Sequence, residues 1–169
     1  MCVFFRMVLQ ETYGVEDCIV TQIPEWSYTS TGTTVQYKKI IDESLNLPSK
    51  FVLDFDYKGT NQARTGLFNS STSENYNIDV QVTTNDYVGI HRSTSTTGVD
   101  SGRLTADNTQ YHNCQIIVDG TTVTWILGGT NTSSATVPWI TSNPLHYLIV
   151  EVWRNSATAY IKNLKIKAL

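Results

Sequence analysis

Apolar residues recur at every second position in short runs along this chain, and turn residues separate the runs. Phe51, Leu53, Phe55 and Tyr57 alternate with Val52, Asp54, Asp56 and Lys58. That period of two predicts a strand with a mostly aromatic inner row and a mostly charged outer row. Tyr76, Ile78, Val80 and Val82 alternate with Asn77, Asp79, Gln81 and Thr83, and a further run follows at 87–92. A three-residue turn at Thr84-Asn85-Asp86 would set Val82 opposite Val88 and Val80 opposite Ile90, keeping the apolar side chains on one face. Asp79 then lies opposite His91. Asp119-Gly120 separates the runs 114–118 and 121–127. A type I′ turn there pairs Val118 with Thr121, Ile116 with Val123 and Cys114 with Trp125. Residues 145–154 and 159–167 predict two more strands joined at Asn155-Ser156, with a bulge near Lys162-Asn163 returning Leu164 and Ile166 to the core.

Helix signals are few. Residues 42–48 leave room for a turn or two before Pro48 stops it. The Ser-, Thr- and Gly-rich stretches 93–107 and 128–143 predict long exposed loops. With no linker and no repeat, the pattern gives one domain over 1–169. It is an all-β, two-sheet antiparallel sandwich of about eleven strands with minimal helix.

Composition narrows the function. A chain of 169 residues can bury roughly two-thirds of its unfolded surface. With 40% hydrophobic residues it is not a disordered chain. Charged residues are 16% and the net charge is −3, which argues against nucleic acid as a partner because that role needs a basic surface. No apolar run approaches the roughly 20 residues that span a bilayer, so membrane insertion is not expected. Residues 1–9 are apolar but short and split by Arg6, and read as a first strand, or the start of an excised domain, instead of a signal peptide. Cys2, Cys18 and Cys114 lack metal-ligand spacing and read as packed thiols, with a Cys18–Cys114 bridge as the alternative. Asn69-Ser70-Ser71 and Asn131-Thr132-Ser133 match the N-glycosylation acceptor pattern, which in so Ser- and Thr-rich a chain arises by chance. Glu16-Asp17, Asp42-Glu43 and Asp54/Asp56 offer oxygen ligands for a structural calcium ion, but without diagnostic spacing. No cofactor is expected.

The last third of the chain runs as a strand, the hairpin Val118-Asp119-Gly120-Thr121, the strand Val123-Thr124-Trp125, a long loop, then Leu148-Ile149-Val150-Glu151-Val152-Trp153 and the closing Tyr160-Ile161-Lys162-Asn163-Leu164-Lys165-Ile166. Over residues 50–169 this order resembles the end of concanavalin A-like lectin/glucanase jelly rolls, most of all the modules on phage tail proteins and surface adhesins. The resemblance implies a jelly-roll sandwich, often sugar-binding, displayed outside a cell or on a virion.

Glucanases of that superfamily place acidic residues at alternate positions of one strand. Asp54 and Asp56 share a face, but Lys58 follows them and no Glu lies in the run. They read as a solvated outer row, not as carboxylates set about 5–10 Å apart for hydrolysis. Gly-x-Ser-x-Gly does not occur, so His91, His112 and His146 have no nucleophile elbow to serve. No catalytic residue is assigned. Sugar binding needs an aromatic ring for the pyranose face and amides or carboxylates for its hydroxyls. Tyr147, Glu151 and Trp153 share one parity of their strand, while Asn77, Asp79 and Gln81 face the same way as Tyr87 and His91 in the expected register. Trp139, in a loop, is a further stacking candidate, as are Trp26 and Tyr28. These residues predict a non-catalytic carbohydrate-binding module, the receptor-binding or adhesin part of an extracellular or virion-surface assembly that repeats as a homo-oligomer. The alternatives are a structural virion or appendage domain that packs subunits together, and a glycoside hydrolase of the same fold.

Overall fold

The computed structural model describes residues 18–169 apart from 61, 74, 84, 95 and 154–156. The first strand expected at residues 1–9 lies outside them. Among the described residues are twelve strands: β1 (Cys18–Thr29), β2 (Gln36–Lys39), β3 (Lys50–Gly59), β4 (Ala63–Phe68), β5 (Asn77–Val82), β6 (Asp86–Ser93), β7 (Thr96–Thr105), β8 (His112–Asp119), β9 (Thr122–Leu127), β10 (Asn131–Thr136), β11 (Tyr147–Val152) and β12 (Thr158–Ala168). One 3-10 turn, Pro138–Thr141, is the helical element. The strands form two six-stranded antiparallel sheets in the orders β1-β12-β3-β8-β9-β10 and β2-β11-β4-β5-β6-β7.

The alternation read from the sequence is what closes the sandwich. Leu53, Phe55 and Tyr57 of β3, Ile116 of β8 and Val123 and Trp125 of β9 meet Leu148, Val150 and Val152 of β11 and Ile78, Val80 and Val82 of β5, all shut from solvent. Such rows bury most of the apolar surface that drives folding, worth about 25 cal/mol per Å². The bulge expected near Lys162-Asn163 is present: the register of β12 on β3 shifts between Lys162 and Lys165, Asn163 has φ 55°, and Leu164 and Ile166 are buried.

Five local expectations are corrected. The stretches 93–107 and 128–143 are not plain loops, because β7 and β10 form within them as the outer strands of their sheets. No helical turn forms at 42–48, and Trp26 and Tyr28 stand in β1, half-buried against the core. The hairpin at Asp119 pairs Val118 with Val123 and Ile116 with Trp125, so Gly120 and Thr121 are the loop residues. Only Gly120 there needs positive φ (62°), which suits a turn with glycine first. This slip of two residues in the pairing leaves every side chain on its expected face.

The fifth correction moves side chains. β5 and β6 pair Val82 with Tyr87, Val80 with Gly89 and Ile78 with His91, one step away from the expected register. Tyr87 and His91 therefore face the core side, while Val88 and Ile90 face outward. The cause is the Trp125 indole. A Cβ on Gly89 would sit 2.5 Å from Trp125 Cγ, so Gly89 is the seat for the ring. The indole Nε1–H also donates to the Asp79 carbonyl at 3.1 Å, tying β9 to β5 across the core. His91 stacks on the same indole at 6.1 Å, and its Nδ1 hydrogen-bonds Ser101. The Tyr87 ring packs edge-on against Tyr57 and His112. We expect Gly89→Ala to cost about 1–3 kcal/mol through overpacking, read as a lower urea midpoint at unchanged slope. A wild-type midpoint would contradict this seating.

Candidate functional site

The parity that sends Leu148, Val150 and Val152 inward sends Ile149 and Glu151 to the outer face of the second sheet. In register beside Glu151 stand Tyr37 of β2 and Arg64 of β4; beside Ile149 stand Lys39 and Gly66; beside Tyr147 stands Phe68. β5 continues the rows with Gln81, Asp79 and Asn77, and β6 with Val88, Ile90 and Arg92. Four buried apolar residues do not join the core cluster: Phe68, Val88, Ile90 and Ile149. All four lie on this outer face. With Asn77, Asp79 and Glu151, each 0% exposed, they make a floor. Tyr37, Gln81, Arg92, Tyr147 and Trp153, half-buried, make the rim. An outer sheet face is ordinarily wet; this one carries a second, mixed polar and apolar layer.

Trp153 follows β11 and is held by its backbone N–H, which donates to the Gln62 carbonyl at 3.3 Å. Its indole N–H donates to the Glu151 carboxylate. The ring lies over the Arg64 guanidinium, 4.9 Å from centroid to Cζ, and Arg64 Nη1 is 3.5 Å from Glu151 Oε1. Removing one partner of so buried a pair costs about 3–5 kcal/mol. The Asn77 amide donates to the Asp79 carboxylate. Asn77 Oδ1, Asp79 Oδ1 and Glu151 Oε2 remain buried with no hydrogen-bond donor from the protein. Such acceptors are costly to leave unmet. Burial pushes the Asp79 carboxyl up to about 6, with Arg64 and Asn77 pulling the other way. Burial likewise pushes Glu151 up to about 7; Arg64 opposes that shift and Asp79 adds to it. Tyr37 is raised by burial and then by Glu151.

Six predicted residues, Asn77, Asp79, Gln81, Tyr147, Glu151 and Trp153, come together on this face. Tyr87 and His91 do not, because the Gly89 seat turns them inward. Trp139 stands elsewhere: it lies within the 3-10 turn after Pro138, packs against Tyr76 at 5.3 Å and lies against the core. Arg64, Arg92 and Tyr37 were not anticipated. One signal pointed to Arg92, since the expected register put it in the oily row with Val88 and Ile90, a poor place for a charge. Asp54 and Asp56 lie on the outer face of the other sheet, where Asn113, Gln115, Asn163 and Lys165 satisfy them. Cys114 is a buried free thiol, its pKa raised by burial. Among the described residues no group of three His, Cys, Asp or Glu is placed to hold a metal ion.

No protein-family model matches the chain, and no curated protein does. Solved structures do. A carbohydrate-binding module, CBM66 from Bacillus subtilis, superposes with TM-score 0.55 at 12% identity over 84% of this chain and 95% of that one. A family 7 alginate lyase, A1-II′, gives 0.57 at 13% identity over 86% and 79%. The carbohydrate recognition domain of Emp47p gives 0.52 at 7% identity over 90% and 94%. The chain thus shares the jelly-roll β-sandwich fold of these structures.

The two raised carboxyls set a pH dependence. Between roughly pH 4 and 7 the folded chain retains protons that the unfolded chain has released, so their contribution to stability grows as pH falls through that window. Relative to an Asp79→Asn/Glu151→Gln variant, the wild-type urea midpoint should rise from pH 8 to pH 5. A constant difference between the two would contradict the burial argument.

Proposed function

We propose that this chain is a carbohydrate-binding domain whose ligand lies on the outer face of its second sheet. The observation that carries the reading is the half-buried Trp153 ring, fixed by Glu151 and Arg64 on a face it shares with half-buried Tyr37 and Gln81. A pyranose offers one apolar C–H face and a rim of hydroxyls. Trp153, Tyr147 and Tyr37 suit the former, and the half-buried Gln81 amide and Tyr37 hydroxyl suit the latter. The likeness in fold to a carbohydrate-binding module and to a carbohydrate recognition domain supports the reading.

The domain acts as the receptor-binding or adhesin part of an extracellular or virion-surface assembly. Each sugar hydroxyl exchanges a water hydrogen bond for a protein one at small gain, so single sites bind weakly. Copies of the chain in a homo-oligomer raise the overall affinity by avidity.

A glycan-cleaving reading draws on the likeness to an alginate lyase and on the two carboxylates across β4. Both Asp79 and Glu151 are shut from solvent, and Glu151 is engaged by Trp153 and Arg64. That arrangement favours positioning over contact with a scissile bond, and we expect no new reducing ends after long incubation with bound polysaccharides. Calorimetric titration after a glycan-array screen should give binding in the micromolar to millimolar range, weakened ten-fold or more by Trp153→Ala. Absence of binding to every glycan, or an unchanged affinity in the variant, would remove the reading.

A further inference from the structure

We propose that the ligand of this face is a linear glycan several sugars long, laid lengthwise along β11 and held at two separate rings, Trp153 and Tyr147. The inference rests on the glycan-binding reading above and adds the length of chain that is bound.

Tyr147 opens the outward row of β11, Ile149 and Glu151 continue it, and Trp153 closes it just past the strand. Six steps of extended chain separate the two rings' residues, about 20 Å at roughly 3.3 Å per residue. That is several times the width of one pyranose, so no single sugar stacks on both. Between them, Ile149 and Glu151 are shut from solvent, whereas Tyr147 and Trp153 keep part of their surface open. The row can therefore be reached at its two ends and not in its middle. A ligand of one sugar would use one ring and leave the other idle; a chain of sugars uses both.

Each ring is braced by its own neighbours. Lys39 of β2 holds its Nζ 5.1 Å from the Tyr147 ring centroid and donates to the Asp42 carbonyl at 3.2 Å. His146 packs edge-on against the same ring at 6.3 Å. Trp153 lies over Arg64 and donates to Glu151. The two braces share no residue, so the rings are two platforms and not one cluster. Half-buried Tyr37 stands beside the row between them, in register with Glu151, and offers its hydroxyl to a sugar bridging the stacked ones. Gly66, in register with Ile149, adds no side chain that would block the path. Once one ring holds the chain, contact with the other is intramolecular and costs no further translational freedom. Affinity then grows with chain length until the chain reaches from ring to ring.

Oligosaccharides of two, four and six units from the cello-, xylo-, manno- and laminari- series, with matching lengths of any linear array hit, test this by calorimetric titration. In at least one series the hexamer should bind ten-fold or more tightly than the dimer at one-to-one stoichiometry. That exceeds the few-fold gain that extra registers on a single ring would give. Tyr147→Ala, checked for folding by its thermal midpoint, should remove most of the gain with length and weaken the hexamer five-fold or more. Tyr147→Phe should keep the wild-type affinity, and Trp153→Ala should weaken dimer and hexamer alike. If dimer and hexamer bind wild type equally, if binding is confined to mono- and disaccharides, or if Tyr147→Ala keeps the gain with length, the extended-ligand inference fails while the glycan-binding reading stands. If no glycan tested here or in the array binds, both fail.

Discussion

The seating of one indole against one glycine governs the arrangement of the second sheet. Trp125 reaches from the first sheet across the core, lies on Gly89 and donates its N–H to the Asp79 carbonyl. With the ring there, residue 89 must point inward and carry no side chain. Period-two alternation then leaves no freedom: Val88, Ile90 and Arg92 point outward, and Tyr87 and His91 inward. The backbone of Asp79 is held by the same indole, and its carboxylate faces away from the core beside Gly66. A single packing contact thus decides which polar groups share a face with Glu151.

That face is expensive to maintain. Burying a carboxylate or a guanidinium away from water is unfavourable unless partners replace the lost hydration. Here Trp153, Arg64 and Glu151 satisfy one another in part, and Asn77 serves Asp79. Oxygens on Asn77, Asp79 and Glu151 remain without a protein donor. The outer face of the first sheet instead meets its carboxylates with polar partners. There Asp54 and Asp56 are met by amides and Lys165. The contrast between the two outer faces is the physical ground for placing a ligand on one and not the other. It also gives Trp153 a fixed pose before any ligand arrives, which lowers the entropy cost of stacking.

Much of the fold was legible in the alternation itself. The inner rows of β3, β5, β8, β9, β11 and β12 could be named because their apolar parity is unbroken, or broken at one bulge whose position Leu164 and Ile166 betray. The Asp119-Gly120 hairpin slipped by two residues without moving any side chain to the other face. The register of β5 on β6 could not be read locally. Apolar residues occupy both parities between Tyr87 and Arg92, so the choice rested on turn length, and the deciding partner, Trp125, lies more than thirty positions away in sequence. The site was half legible for the same reason. Glu151, Trp153 and Tyr147 follow from the clean parity of β11. Arg64 hides in a short strand where Ala63, Thr65 and Gly66 give no strong pattern, and Tyr37 sits on a four-residue edge strand.

The central claim is that ligand recognition is organised around Trp153 on the outer face of the second sheet. Four tryptophans give four indole N–H signals, from Trp26, Trp125, Trp139 and Trp153. Following them by two-dimensional NMR during titration with a glycan that binds is the most direct test. The account predicts that the Trp153 indole resonance moves furthest and saturates with the ligand while that of Trp139 stays in place. A titration that shifts Trp139 or Trp26 and leaves Trp153 unmoved would contradict it.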